Sequence, residues 1–258
     1  VPQREAGQQS AINLATPKLK VVRVAFVGLG MRGPGAVERW THIPGIEIKA
    51  LCDYEKNRAD DCQKYLKKAS MPAADVYYGE NGYKDLCKRT DIDLVYIATD
   101  WIHHFLVAKE ALLNGKHVAI EVPSAMNMRE IWELINLSEK SRLHCMILEN
   151  CCYDYYELNA LNMAQNGVFG EVLRAEGAYI HNLDDFWGHY WHNPSDSLSK
   201  KVGWRMAYNS KNRGDVYATH GLGPIAQVLD IHRGDKMNTL VAMDTKSVNG
   251  KKQVEKMT

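Results

Sequence analysis

A glycine motif at the end of an apolar run constrains the fold of this chain more than any other feature of its sequence. Residues 28–33 read GLGMRG, and the apolar run 21–27 leads directly into them. In a G-x-G-x-x-G the first glycine permits a tight turn, the second lets the backbone approach a pyrophosphate, and the third allows a helix to pack closely on a strand. The motif therefore predicts a strand, a phosphate-binding turn and a helix around Gly28, Gly30 and Gly33.

A carboxylate follows at the end of the second apolar run. Asp53 lies 25 residues after Gly28, near the offset of about 20 at which an acidic residue binds the adenosine ribose of a dinucleotide. The pair predicts a dinucleotide site. Because a carboxylate would repel a 2′-phosphate, NAD is favoured over NADP, although the cations Arg32, Lys56 and Arg58 are close in sequence.

Short apolar runs alternate with amphipathic stretches throughout residues 21–150. Continuous apolar runs are typical of parallel strands covered by helices on both faces, and apolar spacings of three and four residues are typical of helices. The predicted strands are 21–27, 47–52, 76–78, 94–98, 117–121 and 144–148, and the predicted helices are 35–41, 55–68, 83–88, 103–114 and 127–141. We expect an α/β fold, a doubly wound parallel sheet of the Rossmann type.

The pattern changes after residue 150. Residues 1–20 are predicted to be a polar tail, 21–150 the nucleotide-binding domain and 151–258 a substrate domain with a C-terminal part apparently missing. The predicted elements there are a helix at 156–165, a strand at 172–180, a helix at 223–231 and a strand at 239–245. The intervening stretch 182–212 is long for a loop and carries Trp187, Trp191, Trp204 and Tyr208, which favours the lining of a binding site.

Composition excludes several classes of function. The 258 residues are 45% hydrophobic and 24% charged, with a net charge of +1 and a mean hydropathy of −0.37. These values predict a globular protein without a membrane span, and they favour a small-molecule partner over nucleic acid. The adjacent histidines His103 and His104 and the six cysteines match no recognised zinc spacing, so no metal is expected. A homo-oligomer is left open.

Two further strings give the chain a family resemblance. Residues 98–104 read ATDWIHH, and residues 115–123 read GKHVAIEVP. Together with the glycine motif they resemble the Gfo/Idh/MocA family of nicotinamide-dependent sugar oxidoreductases over residues 21–231. The resemblance implies an N-terminal Rossmann domain that binds NAD and a C-terminal α+β domain with an open, mainly antiparallel sheet that carries the sugar site.

The departures from that family concern its proton-handling groups. The lysine of the family's Glu-Lys-Pro is Val122 here, and its later Asp-x-Gly-x-His is replaced by THGLG at 219–223. Since dehydrogenation of an alcohol needs a base on the hydroxyl, these replacements count against an ordinary sugar dehydrogenase. The altered pattern is similar to one branch, glycoside hydrolase family 109, whose members are NAD-dependent α-N-acetylgalactosaminidases.

The second resemblance implies roles for individual residues. Tyr179, Arg205 and Tyr217 would contact the sugar. The residues that would contact NAD, together with the three glycines of the turn, are Met31, Arg32, Asp53, Trp101, His104, Glu121, Val122, Asn150, Tyr217, Ala218, Thr219 and His220.

The implied reaction is a redox-neutral hydrolysis of terminal α-linked N-acetylgalactosamine by oxidation, elimination, addition and reduction with tightly bound NAD. It requires bases for a hydroxyl and for a C–H group, and the available groups are His220, Tyr179, Tyr217 and His181. His220 is the first candidate for the base, with a structural histidine as the alternative. Tyr179 and His181 would share one face of a strand, facing substrate or core, and Arg205 would bind the sugar or form an ion pair.

Two other functions stay open at this point. One is a conventional NAD-dependent dehydrogenase of a sugar or cyclitol, and the other is a non-catalytic sensor of NAD or sugar. A glycan substrate and a first residue other than methionine favour an exported protein of the periplasm or cell envelope, with a cytoplasmic location as the alternative.

Overall fold

The computed structural model describes residues 3–181, 203–209 and 211–246, together with residues 248, 252 and 255. Contacts divide the chain into two compact units: residues 1–150 with 180–210, and residues 151–179 with 211–258. Trp187 and Trp191, which the sequence placed at a binding site, lie outside the described residues.

The first unit is built on a parallel sheet of six strands. Their order is β3-β2-β1-β4-β5-β6, and every neighbouring pair is parallel. The chain crosses over once between β3 and β4, so helices cover both faces, and the predicted doubly wound α/β fold is confirmed. The strands are β1 Val22–Val27, β2 Ile46–Asp53, β3 Asp75–Tyr78, β4 Leu94–Ile97, β5 His117–Ile120 and β6 Cys145–Ile147.

Five helices connect the strands, and each face of the sheet has its own hydrophobic core. Successive side chains of a strand point to opposite faces, so Val24 and Phe26 of β1 belong to one core whereas Ala25 and Val27 belong to the other. The helices are α1 Gly33–Trp40, α2 Lys56–Lys68, α3 Gly82–Cys87, α4 Trp101–Leu113 and α5 Met128–Ser141. The carboxyl ends of the strands are thereby held at one edge.

The polar segment at the N-terminus is attached to α5. Arg4 donates three hydrogen bonds from Nε and Nη2 to the buried carboxylate of Glu139, at 3.1, 2.9 and 2.8 Å, and Gln8 donates to the same carboxylate at 2.7 Å. Arg142, just after α5, donates to the carbonyl oxygen of Gln9 at 3.0 Å. The segment is part of the first unit, not a free tail.

The second unit contains two longer helices. A short 3-10 turn, Asn150–Tyr153, precedes α6, Tyr155–Gln165, and α8 spans Ala218–Val228. Helix α6 packs against α8. A helix of six residues, α7 Trp204–Asn209, belongs to the first unit and lies within the stretch 182–212 that the sequence predicted to be a loop.

After residue 150 the sequence was wrong about two strands and displaced the bounds of one helix. Residues 172–180 and 239–245 form no ladder with another described segment, and their apolar side chains are exposed, as in Leu240 at 91%. β-propensity alone does not make a strand, because each strand needs a neighbour for its hydrogen bonds. Helix α8 begins five residues before the predicted 223, although Gly221 and Pro224 are poor helix formers, because its packing against α6 outweighs propensity.

Candidate functional site

The glycine turn between β1 and α1 has the shape of a phosphate-binding site. A Cβ on Gly28 would lie 2.4 Å from the carbonyl carbon of Ala98, and a Cβ on Gly33 would lie 2.0 Å from the carbonyl oxygen of Gly28. At Gly30 the nearest atom is Arg58 Nη1 at 3.6 Å. The outer glycines are therefore required by contacts within the protein, whereas the middle one faces space that a ligand can occupy, as NAD requires.

Asp53 stands at the end of β2 beside this turn. Its carboxylate accepts hydrogen bonds from the backbone N–H groups of Leu29 at 2.6 Å and Glu55 at 3.0 Å, and its Oδ1 lies 3.5 Å from Arg58 Nη1. The side chain is 6% exposed. The structure thus places the predicted ribose carboxylate at the glycine turn, with one of the three nearby cations paired to it.

The end of β5 carries a second acidic group at the same edge of the sheet. Tyr96 donates a hydrogen bond of 2.6 Å from its hydroxyl to Glu121, and Arg32 Nε lies 3.8 Å from the same carboxylate oxygen. Burial and the neighbouring Glu121 raise the pKa of Tyr96, so the phenol stays protonated and remains a donor. Val122 follows in a buried position, where it can neither donate nor accept a proton.

Helix α4 begins at this edge with an N-cap. The carboxylate of Asp100 accepts from the N–H groups of Ile102 at 3.0 Å and His103 at 3.1 Å, and it lies 2.6 Å from His103 Nδ1. This hydrogen bond raises the pKa of His103. Asp100 therefore caps α4, and its carboxylate is held in place by residues of the first turn of that helix.

His104 lies inside the protein. Its Nδ1 is 2.7 Å from the carbonyl oxygen of Pro123, and its Nε2 is 3.1 Å from that of Thr99. Burial lowers the pKa of His104, which favours the neutral ring. The predicted cofactor residue therefore joins the loops that follow β4 and β5.

Trp101 opens α4 and contacts residues of α7. Its ring meets those of Trp204 and Tyr208 edge to face, with centroids 4.8 and 5.4 Å apart. The guanidinium of Arg205 lies 4.2 Å from the centroid of Trp204 and 5.7 Å from that of Trp101. Trp101, predicted to contact NAD, thus lies against Arg205, predicted to contact the sugar. The cation–π contacts with the two tryptophans orient the Arg205 guanidinium.

The second unit brings three of the predicted catalytic residues together. The ring of His220 lies 4.3 Å from that of Tyr179 and 5.5 Å from that of Tyr217, centroid to centroid, and is nearly parallel to Tyr217 at 16°. Cys151 Sγ lies 3.6 Å from His220 Nδ1. Two phenols, an imidazole and a thiol therefore share one cluster, a set of groups that can exchange protons with a substrate. We call these four residues the Tyr-His cluster.

The start of α8 fixes part of this cluster. Tyr217 precedes the helix, and its backbone N–H donates to Asp215 Oδ1 at 2.8 Å. The hydroxyl oxygen of Thr219 is buried and has no hydrogen-bond partner among the described residues. A buried hydroxyl without a partner is costly, which fits the expectation that Ala218 and Thr219 lie against a ligand.

Two further predicted site residues lie in the other unit. Asn150 and His181 belong to the first unit, and their roles remain predictions. The sequence did not reveal the contact of Cys151 with His220 or that of Tyr96 with Glu121. Neither pair, 69 and 25 residues apart, belongs to a recognised motif, so only the fold reveals these contacts.

Two protein families match successive parts of the chain. Residues 22–148 match the oxidoreductase family with an NAD-binding Rossmann fold, Gfo/Idh/MocA. Residues 153–258 match the C-terminal domain of glycosyl hydrolase 109. The chain belongs to glycosyl hydrolase family 109. Both resemblances given by the sequence motifs are therefore confirmed.

Curated family 109 proteins are similar along the whole chain. Glycosyl hydrolase family 109 protein 5 of Phocaeicola vulgatus is 72% identical over 257 residues, covering 100% of this chain and 49% of that protein. Glycosyl hydrolase family 109 protein 1 of Bacteroides thetaiotaomicron is 63% identical over 258 residues, covering 100% and 53%. The chain thus spans about half the length of these family 109 relatives.

A solved structure supports the fold of this family 109 chain. An NAD-binding oxidoreductase from Klebsiella pneumoniae superposes with a TM-score of 0.63 at 20% identity, over 82% of this chain and 54% of that one. Within the part of the chain that the structure describes, no helix has both the length and the apolar character needed to cross a membrane.

Proposed function

We propose that this family 109 protein is a glycosidase that removes terminal α-linked N-acetylgalactosamine from glycans or glycosides with NAD that stays bound. The observation that carries the proposal is the Tyr-His cluster, which supplies proton-exchanging groups in a chain whose usual family lysine is replaced by buried Val122. A hydrolysis that returns its hydride in each turnover needs no added cofactor, unlike a dehydrogenation.

The glycine turn and Asp53 would hold the dinucleotide. The open space at Gly30 fits a pyrophosphate, and the carboxylate of Asp53 fits a ribose without a 2′-phosphate. The chemistry that bound NAD supplies is reversible hydride transfer at C3 of the sugar. Arg32 and Glu121, at the same edge, would help to orient it.

The Tyr-His cluster would handle the protons. His220 takes the proton of the C3 hydroxyl, because imidazole is the side chain suited to proton transfer near neutral pH. Removal of the proton on C2 then expels the glycosidic oxygen from C1, and this oxygen takes a proton and leaves as an alcohol. Water adds to C1 as a proton returns to C2, and the hydride returns to C3. Tyr179 and Tyr217 are the groups for the C2 proton and for stabilising the enolate, and His181 is a further proton carrier.

Arg205 would recognise the sugar. Its planar fork matches a pair of hydroxyl oxygens or the carbonyl oxygen of the acetamido group, and the Trp204 ring holds the fork in place at 4.2 Å. A glycan substrate also favours export to the periplasm or cell envelope. Fractionation of the native host decides this point, since recovery from the cytoplasm alone contradicts export.

The test is a panel of nitrophenyl N-acetylhexosaminides given to the full-length protein without added NAD. We expect release of nitrophenol from the α-galacto compound with no net NADH absorbance. His220→Ala should lower turnover by about 10²- to 10⁴-fold, the usual contribution of a positioned base. His42→Ala, at an exposed loop position, is the control and should leave turnover unchanged.

Two outcomes contradict the proposal. The first is NADH formation from free sugars or cyclitols without release of nitrophenol, which identifies a conventional dehydrogenase. The second is full turnover of the His220→Ala protein, which removes this residue from the reaction.

A further inference from the structure

The backbone of the second unit makes one unusually close approach beside the Tyr-His cluster. A Cβ on Gly177 would lie 2.5 Å from the carbonyl oxygen of Gly221 and 2.8 Å from Ile225 Cδ1. A Cβ on Gly221 would lie 3.2 Å from the carbonyl carbon of Gly177. Gly177 and Ala178 therefore lie directly on the first turns of α8, backbone against backbone.

Neither glycine is needed for its own conformation. Positive φ is a common reason for glycine at a fixed position, but neither Gly177 nor Gly221 is among the residues with positive φ. The backbone conformation at either position is therefore one that alanine can adopt. The requirement is for space between two segments of chain, and it is shared by both residues.

This contact is adjacent in sequence to the cluster on both sides. Tyr179 follows Gly177 by two residues, and His220 immediately precedes Gly221. Each ring is therefore carried by a residue one or two positions from the contact. The distance between the two backbones consequently sets the distance between the Tyr179 and His220 rings, which is 4.3 Å between centroids.

We propose that Gly177 and Gly221 are positioning residues for the reaction, which set the Tyr179–His220 geometry by permitting backbone contact. Their role in turnover rests on the proposed function, but the geometric role does not. A group that exchanges protons with a bound substrate must lie within hydrogen-bond reach of it. Moving segment 172–179 off α8 carries Tyr179 away from His220 and breaks their joint alignment.

The two glycines should differ in sensitivity. In Gly177→Ala the new methyl group meets a backbone oxygen at 2.5 Å, so the segment must shift. In Gly221→Ala the nearest atom is at 3.2 Å, which a movement of a few tenths of an ångström relieves. We expect kcat to fall about hundredfold in Gly177→Ala, as for misplacement of a catalytic group by about 1 Å, and less in Gly221→Ala. KM should change less than kcat in both.

The control is a glycine of the same unit whose neighbour can move. A Cβ on Gly234 would meet only the side chain of Asp230, with Oδ2 at 3.0 Å. Gly234→Ala should therefore leave kcat, KM and the thermal midpoint close to wild type. A loss of turnover in this variant equal to that in Gly177→Ala contradicts the proposal.

A double variant separates backbone contact from side-chain packing. Gly177→Ala combined with Ile225→Ala removes the contact at 2.8 Å and keeps the one with the Gly221 carbonyl oxygen. The proposal expects turnover to stay as low as in Gly177→Ala. Recovery of wild-type kcat means that the Ile225 side chain, not the backbone approach, was limiting, and overturns the proposal.

A measurement without substrate keeps the inference independent of the glycosidase reaction. Nuclear magnetic resonance of the full-length protein with isotope-labelled histidine reports the ring protons of His220, which the nearby Tyr179 ring shifts by its ring current. The His220→Ala spectrum assigns the signal. We expect the His220 signal to move toward the unshifted position in Gly177→Ala, to move less in Gly221→Ala, and to stay in Gly234→Ala.

Each result has a clear meaning. A Gly177→Ala protein with an unmoved His220 signal overturns the proposal, whatever its activity. If Gly177→Ala does not fold, the milder Gly221→Ala decides by the same two readouts, and an unmoved signal with wild-type kcat overturns the proposal. If the wild-type protein hydrolyses no glycoside, the proposed function fails, but the histidine signals still decide the positioning role.

Discussion

The two units of the chain fix their functional residues in different ways. In the first unit, Phe26 of β1 is 0% exposed and packs against the rings of Trp40 and Tyr96. In the second unit neither α6 nor α8, both fully described, contains a buried residue. The glycine turn therefore stands on a packed core, whereas the Tyr-His cluster depends on contacts between partly exposed segments.

The glycine turn and the Tyr-His cluster are therefore held by different means. A packed sheet with helices on both faces leaves its loops few alternatives, so the turn at Gly28 and the carboxylate of Asp53 follow from the core beneath them. The cluster around His220 rests instead on the approach of Gly177 to Gly221. Substitutions made separately in the two units test this difference.

The largest expected effect is in the core of the first unit. Phe26→Ala leaves a cavity between Trp40 and Tyr96 and should cost about 3–5 kcal/mol of unfolding free energy. Leu158→Ala on α6, where the leucine is 44% exposed, should cost less than about 1 kcal/mol. Urea unfolding of both variants measures this difference. Equal losses contradict the contrast between the two units.

A smaller effect is expected at the glycine turn. Gly30→Ala introduces a methyl group that meets no protein atom closer than 3.6 Å, so the thermal midpoint should stay unchanged. NAD affinity should fall at least about tenfold, or about 1.4 kcal/mol, because the space is reserved for the pyrophosphate. Calorimetric titration with NAD measures this loss. Gly35→Ala, where the nearest atom is a mobile tip of Arg39, is the control and should bind NAD normally.

The carboxylate beside the turn should control the choice of dinucleotide. Asp53→Asn keeps an acceptor for the Leu29 N–H but removes the charge that pairs with Arg58 at 3.5 Å. The ratio of NAD to NADP affinity should fall about tenfold, since the repulsion of a 2′-phosphate is lost and Arg58 is released. Equilibrium dialysis with both dinucleotides tests this, and an unchanged ratio contradicts it. Lys56→Gln serves for comparison, because Lys56 is a nearby cation that pairs with Asp60 instead.

The smallest expected effects are on the pH dependence of stability, with opposite signs at the two edges of the sheet. Hydrogen bonding to Asp100 raises the pKa of His103, so this contribution is full below about pH 6.5 and is lost as the pH rises through the folded-state value. Burial lowers the pKa of His117, which accepts from the His144 N–H at 2.9 Å. That contribution is full above about pH 6.5 and is lost as the pH falls.

Urea midpoints at about pH 8 and about pH 5.5 distinguish the two histidines. On acidification, His103→Gln should lose more stability than wild type, and His117→Gln should lose less. His144→Gln keeps the backbone donor and removes the like charge that helps to lower the pKa of His117. Its pH dependence should lie between those of wild type and His117→Gln. The same slope in all variants contradicts these assignments.

The strands and helices up to residue 150 could be predicted within a few residues. The runs 21–27 and 117–121 were predicted as strands, and the structure has Val22–Val27 and His117–Ile120. A buried parallel strand produces a continuous apolar run, which the sequence displays directly. Residues 172–180 were also predicted as a strand but form no ladder with another described segment, since a strand needs a neighbour that its own sequence does not specify.

The candidate site was predictable to a similar extent. The residues of the glycine turn and Asp53 follow a local spacing, and the structure brings them together. The roles of His220, Tyr179 and Tyr217 were implied by resemblance, and their proximity came from the structure. Tyr96 and Cys151 carry no motif, so their contacts with Glu121 and His220 were not predictable.

By itself, the sequence determined the Rossmann sheet, the dinucleotide turn and membership of glycosyl hydrolase family 109. The sheet and the turn arise from periodicity and spacing within short stretches of chain, where the physical requirement is local. The family was indicated by the resemblance of its motifs. Only the tertiary structure decided that Trp101 meets Arg205 and that Gly177 lies on Gly221. Such contacts depend on the path of the chain between distant residues, because close packing selects one arrangement among many that a local pattern permits.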